Sequence, residues 1–236
     1  YDRNGNLLAY NVISYSVVMT DEIPKSSKRG DILNGIVYRA VNIIEKYGDH
    51  IIDDFNIELD NEGNYVFKEN PVTRPVTFLI NIYGYTSDEI HEKGYDKLSA
   101  EEVMEYLCGD SKYDLDPSYT KEEMLKIVTV RYALSLTAYQ KYVSTVIASD
   151  INERTMAAIL ESTEDLTGVD VVESYKRVYN DSEYFSHIIG YTGEISEDEL
   201  EETELEVSDT AVKDDIQDVT DTLPEETSED LSLRSE

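Results

Sequence analysis

A chain of 236 residues with 40% apolar residues and 19 tyrosines is long enough for one large domain or two small ones with a real core. Its formal net charge of −31 excludes nucleic acid as a partner, because that binding needs clustered Lys and Arg to release counterions. The single cysteine, Cys108, excludes an internal disulfide and a multi-cysteine metal site, and the longest apolar runs, such as STVIA at 144–148, fall far short of the roughly 20 residues of a membrane-spanning helix.

In chain order, DRNG at 2–5 reads as a turn, followed by the β-branched and aromatic run LLAYNVISYSVVM, a strand expected to bend near Asn11. From Asp31 to Tyr47, Leu33, Ile36, Val37, Ala40, Val41 and Ile44 recur at helical spacing, and Gly48 closes the helix. FNIELDNEGNYVF alternates on both sides of Asn61, Glu62 and Gly63, as a hairpin does. Capping boxes open two further helices, Ser99 with Glu102 before a short helix ending at Gly109, and Thr120 with Glu123 before one reaching about Thr137. YVSTVIAS is expected to be a strand, Asp150 with Glu153 to cap a helix through ERTMAAILES, and GVDVVESYKRVY to be a strand after a turn at Gly168. Elements in this irregular order predict an α+β fold, mixed helices with antiparallel sheets, rather than a regular βαβ series. Residues 194–236 carry 18 acidic and 2 basic residues and no aromatic, so more than half of the net charge sits there and burial cannot offset the entropy of ordering; a disordered acidic tail is expected.

Several site patterns fail on spacing. A calcium loop started at Asp2 places Ile13 at its twelfth position, and one started at Asp60 places Pro71 there, where a Glu is needed. His50, His91 and His187 are scattered singly, without zinc spacing, so no metal or cofactor is expected. Cys108 reads as a small core residue, and the tyrosines at 10, 15, 38, 47, 132, 139 and 142 as core or rim. Ser118 and Lys121 form the only Ser-x-x-Lys, the nucleophile and lysine of penicillin-recognising enzymes, in a local setting that suits a helix start. Ser-x-Asn and Lys-Thr-Gly are absent from the sequence, so catalysis at Ser118 stands only as the alternative reading: an independent acidic enzyme or ligand-binding protein.

DRNGNLLA at 2–9 resembles the N-terminal signature Arg-Gly-x-Ile-x-Asp-Arg-Asn-Gly-x-x-Leu-Ala of class B penicillin-binding proteins. GVDVVESYKRVYNDSEYFSHIIGYTGEIS at 168–196 is similar to the family segment in which a Gly-Val strand leads to Arg-x-Tyr and then His-x-x-Gly-Tyr before the transpeptidase. RYALSLTAYQKYVSTVIASDINERTMAAILES is similar to the helix, strand and helix between them, and YNDSE stands where the family commonly has Tyr-Pro-x-Gly. The resemblance is greatest to elongation, or rod-type, members. It implies that the chain is a fragment, with Tyr1 inside a strand whose preceding residues are missing and an N-terminal anchor helix further upstream.

The resemblance further implies an elongated, non-catalytic pedestal, or dimerisation domain, at 1–193, with a variable head subdomain at about 26–118. Such a pedestal holds a transpeptidase of the parent protein and acts in peptidoglycan synthesis at the extracytoplasmic face of the bacterial plasma membrane. Implied partners are a lipid II polymerase, other cell-wall elongation proteins, the parent's own transpeptidase domain and a second copy in a homodimer. Asp2, Arg3, Asn4, Gly5, Arg177, Tyr179, His187, Gly190 and Tyr191 are the motif residues expected at an interface.

Overall fold

Along the chain the order is β1 (Ala9–Met19), α1 (Arg29–Lys46), β2 (Ile57–Leu59), β3 (Tyr65–Phe67), α2 (Pro75–Tyr83), α3 (Ser87–Lys93), a 3₁₀ turn (Tyr95–Lys97), α4 (Ala100–Cys108), α5 (Lys121–Thr137), β4 (Thr145–Ala148), α6 (Glu153–Glu161) and β5 (Val169–Tyr179). The structure is a computed structural model that describes residues 4–26, 28–138 and 143–180. The chain divides into two units, Tyr1–Asp181 and Ser182–Glu236, and every described residue belongs to the first. The expected tail at 194–236 and Tyr139 and Tyr142 lie outside the described residues.

The fold is α+β with antiparallel sheets. β1 is the middle strand of a sheet ordered β4–β1–β5, and β2 pairs with β3 as the expected hairpin. β1 and β5 are paired over the whole of both strands, from Ala9↔Tyr179 to Met19↔Val169. The ladder runs through Asn11 without interruption, and the irregularity of β1 lies between Val17 and Val18, where β4 joins, not near Asn11 as expected. At the hairpin tip the Asp60 carboxylate accepts from the Glu62 and Asn64 backbone N–H groups, both at 2.8 Å, which makes DNEG a turn rather than a calcium loop.

The core is one cluster that joins the inner end of the β1–β5 ladder, at Val17, Met19 and Val169, to the helices. α1 buries the stripe Leu33, Ile36, Val37, Ala40, Val41 and Ile44 that its spacing predicts. α5 is different: Ile127 to Tyr132 are all buried, as in a helix surrounded by protein on every side. Its Arg131 is buried as well, bonded to the Asn34 carboxamide with its guanidinium 4.8 Å from the Tyr113 ring centre. Phe55, Phe78 and Tyr132 meet in an aromatic trio with centroid distances of 5.2, 5.3 and 5.4 Å.

α2 and α3 occupy a stretch to which the sequence reading assigns no element. α2 has Pro75 at its start and the left-handed Gly84 at its end. α3 opens on a third capping box, Thr86 with Glu89, beside the two expected ones at Ser99–Glu102 and Thr120–Glu123. The expected cap of α6 is corrected. Asn152 is the N-cap, accepting from the backbone N–H groups of Arg154 (2.9 Å) and Thr155 (3.0 Å). Asp150 instead adopts positive φ, accepts from Ser14 Oγ at 3.0 Å and pairs with Lys176, tying the β4–α6 loop to both long strands.

In each capping box the cap residue's backbone N–H donates to the Glu carboxylate and holds it below the ordinary value of 4.5. A carboxyl whose pKa is depressed by folding adds stability above its unfolded pKa and loses it as the pH falls through the folded one. The triple variant Glu89→Gln, Glu102→Gln, Glu123→Gln keeps three residues able to close a box but removes the titration. Its thermal midpoint should therefore fall less than that of the unmodified chain between roughly pH 6 and pH 3. Parallel curves from circular dichroism would exclude this contribution.

Candidate interaction surface

Antiparallel pairing sets Ala9, Asn11, Ile13 and Tyr15 on one face of β1, opposite Tyr179, Arg177, Tyr175 and Glu173 of β5. The same face turns inward further along, at Val17, Met19 and Val169, which are buried. Its outer half is open: Asn11 and Arg177 are exposed, Ile13 is 59% exposed and Tyr175 67%. One ladder thus has a buried end that anchors it and an outer end that presents side chains on a paired backbone.

The outer end is organised by side-chain contacts across and along the strands. Arg177 Nη1 donates to the Asn11 carboxamide oxygen at 3.0 Å, and its guanidinium lies 5.9 Å from the Tyr179 ring centre. Tyr175 donates its hydroxyl to Glu173 at 2.9 Å, which raises the phenol pKa. Asn180 ties the end of the ladder by donating its backbone N–H to the Leu8 carbonyl and its side-chain amide to the Leu7 carbonyl, both at 2.9 Å. The two sequence blocks at 4–9 and 175–180 therefore meet in one sheet, and the alternation of 175, 177 and 179 puts them on one side.

Of the motif residues, Arg177 and Tyr179 lie on this face, the first exposed and the second half-buried. Asn4 and Gly5 lie before β1, both exposed, with Gly5 at φ +84°. Asp2, Arg3, His187, Gly190 and Tyr191 lie outside the described residues. Ile13 was not singled out by the sequence, because Asn11, Val12, Ile13 and Ser14 do not alternate in polarity and so do not mark the open side of the strand.

The Ser118–Lys121 pair does not form a Ser–Lys site on one helix. Thr120 is the N-cap of α5 and Lys121 its first residue, so Ser118 stands two residues before the cap, not one helical turn before a lysine inside the helix. Lys121 Nζ donates to Glu101 Oε1 at 2.6 Å and lies 4.9 Å from the Tyr65 ring centre. Tyr65 in turn donates its hydroxyl to the Lys121 carbonyl at 2.9 Å, so the lysine links α4, β3 and α5. Ser118 donates its backbone N–H to Asp116 in a turn. At Cys108, burial pushes the thiol up to about 11, away from the thiolate a nucleophile needs. Among the described residues, no group of His, Cys, Asp and Glu could hold a metal ion, and no helix is long and apolar enough to cross a membrane.

The family model of the penicillin-binding protein dimerisation domain matches residues 1–216. Among solved structures, the chain is similar to penicillin-binding protein 2B of Streptococcus pneumoniae strain 5204, at 19% identity over 87% of this chain and 29% of that one, with a TM-score of 0.43. The same protein from strain R6 matches at 18% identity over 89% of this chain and 29% of that one, with a TM-score of 0.36. The chain thus spans less than a third of either structure. No curated protein matches it.

Proposed function

Because the chain belongs to the penicillin-binding protein dimerisation domain family, we propose that it is the non-catalytic pedestal of a class B penicillin-binding protein acting in peptidoglycan synthesis. In this reading residues 1–193 form the pedestal, about 26–118 its head, and 194–236 an acidic tail. An anchor helix upstream holds the protein at the extracytoplasmic face of the plasma membrane, and a transpeptidase in the parent protein performs the chemistry. The pedestal positions that transpeptidase and docks partners, a lipid II polymerase first among them, with a second copy as a further partner.

The observation that carries the docking role is the open outer half of the β1–β5 ladder. A face of Ile13, Tyr175, Tyr179 and Arg177 combines the aromatic and Arg side chains in which interface energy concentrates, on a backbone paired along its whole length. The strands supply rigidity, so little ordering entropy opposes binding.

Replacing Arg177 and Tyr179 together by Ala should weaken binding to a lipid II polymerase by about 2 kcal/mol, roughly thirtyfold. The thermal midpoint should change little, since Arg177 is exposed and Tyr179 only half-buried. A binding titration beside a melting curve separates the outcomes: a large drop in midpoint assigns the segment to folding, and unchanged binding by a folded variant removes it from the interface. A fluorescent penicillin should leave the chain unlabelled, whereas a label on Ser118 would favour an enzyme.

A further inference from the structure

The even-numbered residues of β5 carry its bonds to β1. At one end of the ladder Asn180 N–H donates to the Leu8 carbonyl at 2.9 Å, and at the other Thr20 N–H donates to the Gly168 carbonyl at 2.8 Å, both in the register that pairs Ala9 with Tyr179. Antiparallel alternation then turns the N–H and C=O of the odd-numbered residues away from β1. At the inner end these N–H groups are met locally, Val169 donating to the Leu166 carbonyl at 2.9 Å and Val171 to the Asp170 carboxylate at 2.7 Å. From Glu173 to Arg177 the outer edge has no strand beside it among the described residues, and Glu173, Tyr175 and Arg177 are all exposed.

An open edge is a template for a further strand, and proteins blunt it with proline, a bulge or outward lysines. β5 has no proline and its register with β1 is unbroken. Its one lysine, Lys176, is turned back to Asp150. The edge is therefore unguarded where its outward backbone is exposed.

Cross-strand chemistry selects the strand that fits. A second β5 laid antiparallel across a two-fold axis can be centred on any residue from Glu173 to Arg177. Centred on Glu173, Lys176 or Arg177, it sets that residue against its own copy, like charge on like, which is destabilising. Centred on Ser174, it sets no charge opposite another. Centred on Tyr175, it sets Glu173 opposite Arg177 on both sides of the axis and Tyr175 opposite Tyr175. On the other face, Val172 then meets Val178 and Ser174 meets Lys176. The side chains are free to make these pairs: Arg177 gives one of a guanidinium's five N–H groups to Asn11, and Glu173 accepts from Tyr175 through one of its two oxygens.

We propose that the outer edge of β5 pairs antiparallel with the same edge of a second copy, Tyr175 against Tyr175 at the two-fold axis and Glu173 against Arg177 on either side. The two sheets become one, ordered β4–β1–β5–β5–β1–β4. This rests on the pedestal reading, in which a second copy is one of the partners, and names the surface that this partner takes.

The test is sedimentation velocity of the full chain, with an expected reversible monomer–dimer equilibrium of Kd about 100 μM. Glu173→Arg alone, or Arg177→Glu alone, sets like charges opposite each other and should weaken dimerisation about tenfold, while the two together restore the pairs and the affinity. Circular dichroism melting checks that each variant is folded. A second measurement reads the register without charge changes: in a Cys108→Ala background, Tyr175→Cys should form a disulfide-linked dimer on mild oxidation, because paired residues of this kind lie about 5.5 Å apart at Cα. Arg177→Cys should not, since its copy lies four residues along, about 13 Å away. A chain that is monomeric at 1 mM would overturn the proposal, as would single reversals that dimerise unchanged, a charge swap that fails to restore the dimer, or cross-linking at 177 in place of 175. Each of these outcomes leaves the pedestal reading to its own tests, the polymerase titration and the fluorescent penicillin.

Discussion

Phe55→Ala should destabilise the chain by about 3–5 kcal/mol, the range for removing a large aromatic from a core that relaxes only in part. Phe55 is 1% exposed and sits against both Phe78 and Tyr132, so its removal strips the trio of two ring contacts and leaves a void between α2 and α5. Edge contacts between aromatic rings add to the burial term, which places the expectation in the upper part of that range. Urea unfolding followed by circular dichroism measures it as a fall in midpoint at unchanged slope. A loss below about 1 kcal/mol would mean that the cavity collapses and that the trio is not a keystone of the helical layer. Binding at the outer ladder should be unaffected under conditions where the variant remains folded, since that face shares no side chain with the trio.

Gly168→Ala should cost about 3 kcal/mol, from two terms that a control separates. Gly168 has φ +82°, a conformation that costs an L-residue roughly 1–2 kcal/mol. In addition, an added Cβ would lie far inside contact distance of the Thr20 carbonyl oxygen, and that backbone cannot retreat cheaply because Thr20 N–H donates to the Gly168 carbonyl at 2.8 Å. Relief would open the inner end of the β1–β5 ladder, next to Met19 and Val169 in the core. Gly84 has a similar φ of +72° and open space around its missing Cβ, so Gly84→Ala should lose only the conformational term, about 1 kcal/mol. If the two variants unfold at the same urea concentration, the close approach to Thr20 is not a source of the constraint.

Much of the local structure was written in short-range patterns. The boxes Ser99–Glu102 and Thr120–Glu123 started helices where they were expected, because a cap hydroxyl and an N3 carboxylate satisfy backbone N–H groups within one turn and need no tertiary partner. The apolar spacing of α1 located its buried stripe for the same reason. The motif blocks at 2–9 and 168–196 were sufficient to indicate the family, since their residues and order are visible without any knowledge of pairing. α2 was missed because PVTFLINIY is mostly apolar and rich in β-branched residues, so its period is ambiguous, although Pro75 and Gly84 marked its ends.

Tertiary structure decided what depends on residues far apart in the chain. Asp150 followed by Glu153 looked like a cap, yet Ser14 and Lys176 draw Asp150 to the sheet, and Asn152, which alone reaches the first N–H groups of α6, caps the helix. Ser118 and Lys121 have the spacing of a reactive pair, an alternative that the missing companion motifs already disfavoured, and only the tertiary structure shows that Glu101, twenty residues earlier, engages the lysine. The alternation of β1 and β5 said which residues share a face, but not which end of that face is buried. That depends on where the helices cover the ladder: they cover Val17, Met19 and Val169 and leave Ile13, Tyr175 and Arg177 open. Local hydrogen bonds and periodicity are properties of neighbouring residues and can be read from sequence. Burial and long-range pairing are properties of the packed whole, where the competition among many possible partners is settled.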